Sequence, residues 1–202
     1  VYVSTDSVAI AEISQKYGAI VPFMRPDFLG GDNVVDREVF CHFYKTAREK
    51  GLDLNDDVVH FRATSPCRDK VTCEKALELY KQEKDSATSL RSVSRVEGCP
   101  SKWFIERNGM LSSPFGYKSI EMHNLPRQNF PQWYLPNGYI DIVKPEVFMT
   151  NGLFHGERVL MYETSQVPDI DTIKDLLAVD LEANLLVLNN LLESSGISKD
   201  SV

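Results

Sequence analysis

The sequence predicts an α/β protein with a mostly parallel sheet flanked by helices, interrupted by a small β-rich excursion. Three observations carry this. Short β-branched runs alternate with helix-length amphipathic segments, as successive βαβ units require. Gly18 and Gly51 stand where two of those helices should end. Between residues 97 and 136, prolines, glycines and aromatics crowd together around Asn108-Gly109, a strong hairpin signal.

Taken in order, Val1–Ser4 reads as a buried strand. Asp6 or Ser7 then caps a helix whose apolar positions are Val8, Ile10, Ala11, Ile13 and Tyr17. A second strand is expected at Ala19–Phe23. The loop Arg25–Asn33, with Gly30-Gly31-Asp32, leads into a helix over Val34–Lys50. Asp57–Phe61 is the next buried strand. Arg62-Ala63-Thr64-Ser65-Pro66 makes a turn at its carboxyl end, where open α/β sheets seat ligands. A helix over Lys70–Gln82 and a strand over Ser86–Val93 follow.

In the excursion, strands at Trp103–Glu106 and Met110–Ser112 should flank the hairpin. Trp103, Phe104, Phe115, Tyr117, Phe130, Trp133 and Tyr134 are too many aromatics for a small solvated loop. They need a surface to cover, which predicts a subunit interface. Tyr139–Val143 returns to strand, Pro145–Met149 is a short helix and Val159–Tyr162 a last strand. A helix is expected over Ile173–Leu192, with a frayed tail at Ser194–Val202. The whole reads as one domain over 1–202, with 97–136 inserted.

Composition narrows the function classes. The chain has 202 residues, 43% hydrophobic and 25% charged, with a formal net charge of −7. Lys and Arg are not clustered, which argues against nucleic acid as a partner. No run of about 18 apolar residues is present to span a membrane, and no signal peptide is visible. Cys41, Cys67, Cys73 and Cys99 form no C-x-x-C pair and have no zinc-like spacing with histidine. They read as reduced thiols of a cytoplasmic protein. The chain opens inside the apolar run Val1-Tyr2-Val3, so an amino-terminal segment is expected to precede it.

The sharpest chemical signal is Asp169-Ile170-Asp171. Alternate residues of an extended segment face the same way. Two such carboxylates call for a cation, and Mg²⁺ takes carboxylates together with phosphate oxygens. The alternative is helix capping, because an Asp at a helix start accepts backbone N–H bonds. A second signal is the set of loop cations Arg25, Arg62, Arg68, Lys102 and Arg127, since Arg suits bidentate recognition of phosphate or carboxylate. Among these a solvated surface role is expected for Arg68. His42, His60, His123 and His155 share no spacing and read as structural or solvated. No G-x-S-x-G, Walker A or G-x-G-x-x-G motif is present.

Several segments together resemble the acylneuraminate cytidylyltransferase family, the CMP-sialic acid synthetases and their bacterial relatives. They are Val3-Ser4-Thr5-Asp6, Tyr17-Gly18-Ala19, Arg25-Pro26 with Asp32, Thr64-Ser65-Pro66, Arg127-Gln128 with Pro131 and Tyr134, Pro136-Asn137-Gly138, and Asp169-Ile170-Asp171-Thr172. They occur in the family's order along nearly the whole chain. The resemblance implies a Rossmann-like nucleotidyltransferase fold. It implies transfer of CMP from CTP to the anomeric hydroxyl of a nonulosonic acid, with release of pyrophosphate. It implies Mg²⁺ held by Asp169 and Asp171, and nucleotide contacts from Arg25 and Asp32. Arg62, Gln128, Asn137 and Phe154 would fall on the sugar side. Lys102 and Arg127 match cations that a family homodimer extends into its partner's active site.

Departures from the family pattern cluster on the sugar side. Arg62-Ala63 stands where sialic-acid enzymes usually carry Gln, and Leu135 replaces the Arg of Arg-Pro-Asn-Gly. Asp141 replaces a tyrosine, and Phe154-His155 stands for the paired aromatics that wall the sugar. Legionaminic, pseudaminic or a related nine-carbon acid is therefore as compatible as N-acetylneuraminate. The family's amino-terminal strand and its Gly/Lys/Arg phosphate loop are expected before Val1. Two other readings stay open: a non-catalytic dimeric remnant of the fold, and a Kdo-activating CMP-sugar synthetase. Arg127-Gln128 and Asn137-Gly138 favour the acylneuraminate branch over the latter.

Overall fold

Periodic apolar residues and punctuating glycines set most elements where the sequence places them. The computed structural model describes residues 1–54, 56–150 and 152–179. The predicted helix over Ile173–Leu192 is described over 173–179, and its remainder and the Ser194–Val202 tail lie outside the described residues. Helix α1 is Val8–Lys16 and starts on Ser7, whose hydroxyl accepts the Ile10 N–H. Gly18, at φ +85°, follows its end in a left-handed conformation.

The amino-terminal segment departs from expectation. Val1–Ser4 is not a buried strand, and Ala19–Phe23 is not a full one. They meet in a single parallel bridge, Tyr2 to Ile20, with the Val3 N–H on the Ile20 carbonyl at 3.0 Å. Val1 is 89% exposed. Of the predicted α1 face only Ala11 is buried, while Val8, Ile10 and Ile13 lie exposed. An apolar stripe is buried only where another element covers it, and none of the described residues does so here.

Helix α2, Asp36–Glu49, begins two residues later than predicted. Val35 keeps an extended backbone, as β-branched residues favour, and Asp36 and Glu38 complement the positive end of the helix. The helix buries Tyr44 and Ala47. Tyr44, Val143 and Phe148 form a core cluster with Phe40, Val58 and Phe154 packed around it. Burial pushes the Tyr44 hydroxyl up to about 12.

Strands β1 (Val58–His60), β2 (Ser89–Arg95), β5 (Tyr134–Val143) and β6 (Val159–Glu163) form one sheet in the order β1-β5-β2-β6. Helix α3, Lys70–Glu83, connects β1 to β2. Strands β3 (Ile105–Arg107) and β4 (Met110–Ser112) make a separate hairpin. Its turn has φ +53° at Asn108 and +76° at Gly109, the geometry that Asn-Gly predicts. Helix α4 is Pro145–Thr150, and 173–179 is α5.

The sheet is not purely parallel. β1 runs antiparallel to β5, with Val58 opposite Val143 and His60 opposite Asp141. Parallel neighbours need a crossover helix, but β5 is fed by the excursion and can insert in the opposite sense.

The chain divides into two compact units. Among the described residues, the first comprises those of 1–60, 76–90 and 141–160, and the second those of 61–75, 91–140 and 161–179. The excursion lies wholly in the second. Phe148 is fully buried in the first-unit core. Phe148→Ala is expected to cost about 3–5 kcal/mol, read as a lowered urea midpoint with a similar m-value.

Candidate functional site

In the second unit, three of the singled-out segments are brought together by hydrogen bonds and close packing. The turn after β1 closes with the Ser65 N–H on the Arg62 carbonyl at 3.2 Å. The Ile170 N–H donates to the Thr64 carbonyl at 2.8 Å, which joins Asp169-Ile170-Asp171 to that turn. On the other side, Gly138 packs against the turn. Its φ is +66°, and a Cβ there would lie 2.8 Å from Arg62 Cδ and 3.1 Å from Ser65 Oγ. The glycine of Pro136-Asn137-Gly138 is thus required both by its backbone and by close approach.

Arg68 holds this junction, which corrects the expected solvated role. Its Nε donates to the Tyr139 carbonyl at 2.6 Å, and Nη2 donates to the Arg62 carbonyl at 2.5 Å and the Gly138 carbonyl at 3.0 Å. The guanidinium also lies over the Phe61 ring, 5.1 Å from its centroid. Burial is the main cause lowering its pKa. Composition could not reveal this, because the partners are carbonyls of residues far away in sequence. The signal available was position: an Arg two residues after a strand-ending turn.

The next residue reinforces the clamp. Asp69 caps α3 by accepting the Thr72 N–H at 2.8 Å. The Tyr139 hydroxyl accepts the Asp69 N–H at 2.7 Å and donates to the Asp69 carboxylate at 2.8 Å. The Thr72 bonds, and then the Tyr139 bond, hold the Asp69 carboxyl down at about 2.

Asn137 continues the arrangement. Its Nδ2 donates to Thr164 Oγ1 at 2.7 Å. Thr164 belongs to the wall of a cavity of about 570 Å³ at the ends of β2 and β6, lined also by Ser94, Arg95, Glu163 and Ser165.

Asp169 and Asp171 are both exposed, and neither side chain makes a hydrogen bond or ion pair with the described residues. They do not cap the helix that follows. Thr172 and Asp175 do: the Thr172 N–H and hydroxyl donate to Asp175 Oδ2 at 2.8 and 2.7 Å, and the Asp175 N–H returns to Thr172 Oγ1 at 3.3 Å. The capping alternative is therefore taken by other residues, and the two carboxylates remain available. Among the described residues no group of three or more His, Cys, Asp or Glu could hold a metal. Mg²⁺ needs only one or two protein carboxylates when substrate phosphates complete its shell.

The excursion places Arg127 and Gln128 together on a cavity of about 370 Å³ with Cys99 and Phe130. Lys102 is committed locally, its Nζ donating to the Leu125 carbonyl at 3.0 Å. The aromatics divide between two roles. Phe104 and Tyr117 enclose the buried His123, with ring centroids 4.2 and 5.2 Å away, and Phe115 packs on Trp133 at 5.1 Å. Trp103, Phe104, Met110 and Leu111 leave an exposed apolar surface.

In the first unit, Arg25 pairs with Asp6, Nη2 to Oδ1 at 2.9 Å. Hydrogen bonds from its own backbone and from Arg25 lower the Asp6 carboxyl. Gly30 leaves room for that carboxylate, because a Cβ there would come within 2.0 Å of Asp6 Oδ2. Asp32 is exposed in the same loop. Asp6 is the residue that site reasoning missed here. Its signal was an acidic residue just before a helix. Phe154 packs between Phe40, at 5.0 Å, and His155, at 4.8 Å. His155 Nε2 is 3.9 Å from the buried Asp141, so two of the departures from the family pattern are neighbours.

The fold is that of the nucleotidyltransferases. The solved structure titled CMP:2-keto-3-deoxy-manno-octonic acid synthetase complexed with CTP superposes with a TM-score of 0.60 at 13% identity, over 91% of this chain and 80% of that one. 4-Diphosphocytidyl-2C-methyl-D-erythritol synthase gives 0.52 at 12% identity, over 90% and 78%. No protein-family profile matches the chain.

Sequence relatives narrow this further. CMP-N,N'-diacetyllegionaminic acid synthase of Legionella pneumophila is 30% identical over 178 residues, covering 85% of this chain and 72% of that protein. N-acylneuraminate cytidylyltransferase of Streptococcus agalactiae serotype V is 26% identical over 186 residues, 89% of this chain and 41% of that longer protein. The chain belongs to the acylneuraminate cytidylyltransferase family of CMP-sugar synthetases.

The pinned junction has a pH signature. Because folding lowers the Asp69 carboxyl, its contribution is fully present above the ordinary carboxyl range and is lost as pH falls through about 2. Asp69→Asn should therefore lower the melting temperature at pH 6, and the gap from the parent should narrow progressively below pH 4.

Proposed function

We propose that the protein transfers CMP from CTP to the anomeric hydroxyl of a nonulosonic acid, with an N,N'-diacetyllegionaminic-type acid the first acceptor to test. The single observation that carries this is the junction in the second unit. It brings the Arg62–Pro66 turn, Asn137-Gly138 and Asp169-Ile170-Asp171 into one hydrogen-bonded assembly. The relatives' names supply the chemistry: one makes a CMP-activated diacetyllegionaminic acid and the other is an N-acylneuraminate cytidylyltransferase.

In this reaction the sugar hydroxyl oxygen bonds to the α-phosphorus, the bond to the β-phosphate oxygen breaks, and pyrophosphate leaves as the hydroxyl proton is lost. No protein nucleophile is needed, and positioning and charge stabilisation do most of the catalysis. Asp169 and Asp171 would hold Mg²⁺. When bound, that ion offsets triphosphate charge and favours loss of the hydroxyl proton. Arg25 and Asp32 serve the nucleotide, with Asp6 setting the orientation of the Arg25 guanidinium. Arg62, Asn137 and the cavity beside Thr164 serve the sugar, and the family resemblance assigns Phe154 and Gln128 to the sugar as well.

The excursion is read as a homodimer contact. Exposed Trp103, Phe104, Met110 and Leu111 favour burial against a second copy. Lys102 and Arg127 would then act in the partner's site on the sugar carboxylate. The four free cysteines suit a reducing cytoplasm, and among the described residues no helix is long and apolar enough to cross a membrane.

Two substitutions three residues or fewer from one another separate catalysis from stability. Asp171→Ala should lower kcat with CTP, Mg²⁺ and acceptor by at least about 10²-fold, the scale of a lost transition-state contact, with an unchanged melting temperature. Thr172→Ala should cost about 0.5–2 kcal/mol of stability through the lost cap. Retained turnover in Asp171→Ala removes the metal assignment, and a full-length protein that binds CTP without turnover favours a non-catalytic remnant. The dimer is checked by light scattering at micromolar concentration, where Trp103→Glu should shift the mass to that of a monomer.

A further inference from the structure

Arg62 stands at a turn, and turns of this kind are mobile unless their carbonyls find donors. Three such carbonyls, those of Arg62, Gly138 and Tyr139, point at one guanidinium, that of Arg68. They come from two distant chain segments, at Arg62 and at Gly138-Tyr139, which nothing in local sequence brings together. Each flank of the guanidinium is itself fixed. Asp69 is locked to the α3 start and to the Tyr139 hydroxyl, and Phe61 lies under the guanidinium plane. Gly138 in turn sits against the Arg62 side chain, within the reach of a single added methyl group. A displacement of the Arg68 fork would therefore move the backbone of Arg62 and of Asn137-Gly138 together.

We propose that Arg68 is a positioning residue for the sugar acid: by accepting no substrate contact itself and bridging the Arg62 and Gly138 carbonyls, it sets the spacing of Arg62 and Asn137 at the acceptor site. This rests on the reading of Arg62 and Asn137 as sugar-side residues. Lysine cannot substitute. Its ammonium keeps the charge but is one point on a flexible stem, whereas the guanidinium spreads donors in a rigid fork and stacks as a plane. Arg68 bonds the Arg62, Gly138 and Tyr139 carbonyls, whereas the Asp169–Asp171 segment meets the turn one step away, through Thr64, so loss of the clamp should disturb the sugar side more than nucleotide handling.

The test is steady-state kinetics of the full-length protein, parent against Arg68→Lys, with CTP and the nonulosonic acid varied separately. The expected result is a KM for the sugar acid raised about tenfold, with the KM for CTP within about twofold of the parent. In an Arg62→Ala background the same Arg68→Lys change should add little further, because both act through one element. A general structural role predicts the opposite pattern: both KM values and the melting temperature move together, and the double variant is additive. That pattern, or an unaffected Arg68→Lys, overturns the inference while leaving the activity in place. If lysine destabilises the fold, Arg68→Gln, with an amide donor but no fork, takes its place under the same criteria. A parent protein that consumes no CTP with any nonulosonic acid overturns the function itself, and this inference with it.

Discussion

The second unit depends on a guanidinium that serves main-chain carbonyls instead of a ligand. Buried or half-buried carbonyl oxygens at a turn must be hydrogen-bonded, and a turn has no ladder to supply donors. Arg68 supplies them to two segments at once. The packing that follows is specific: Gly138 has a positive φ and no room for a side chain, and Asn137 is left reaching Thr164 at the cavity wall. The Ile170 N–H on Thr64 brings the two aspartates to the same turn. One charged side chain thus organises residues that the proposed function assigns to substrate.

The electrostatic problem is sharper than composition suggests. Under the proposed function, a chain of net charge −7 handles a triphosphate and a sugar carboxylate. Several of its candidate cations are already engaged. Arg25 is paired with Asp6, Lys102 with the Leu125 carbonyl, and Arg68 with three carbonyls. An engaged cation still contributes field, but its geometry is fixed before substrate arrives, as preorganised electrostatic sites require. The carboxylates show the converse arrangement. Thr172 and Asp175 cap the helix, which leaves Asp169 and Asp171 uncommitted.

Local elements were legible because their causes are local. Ser7 caps α1, Gly18 and Gly51 take left-handed backbones after helices, and Asn108-Gly109 turns the hairpin. The start of α2 moved by two residues because Val34 and Val35 prefer extended backbone. The face of α1 and the run Val1–Ser4 were misjudged for one reason: periodicity reports which side chains prefer burial, and burial itself needs a covering element. The excursion's aromatics were misjudged in part, since several cover one another around His123.

By itself the sequence determined the α/β class, the hairpin, the helix caps and the ordered motifs that mark the family, because each depends on neighbouring residues or on fixed spacing. Tertiary structure alone decided that β5 enters antiparallel to β1, that Arg68 is a clamp, and that Asp6 holds Arg25. Those outcomes depend on which distant carbonyls and carboxylates meet a given side chain. No local rule encodes such meetings, since they exist only once the chain has closed on itself.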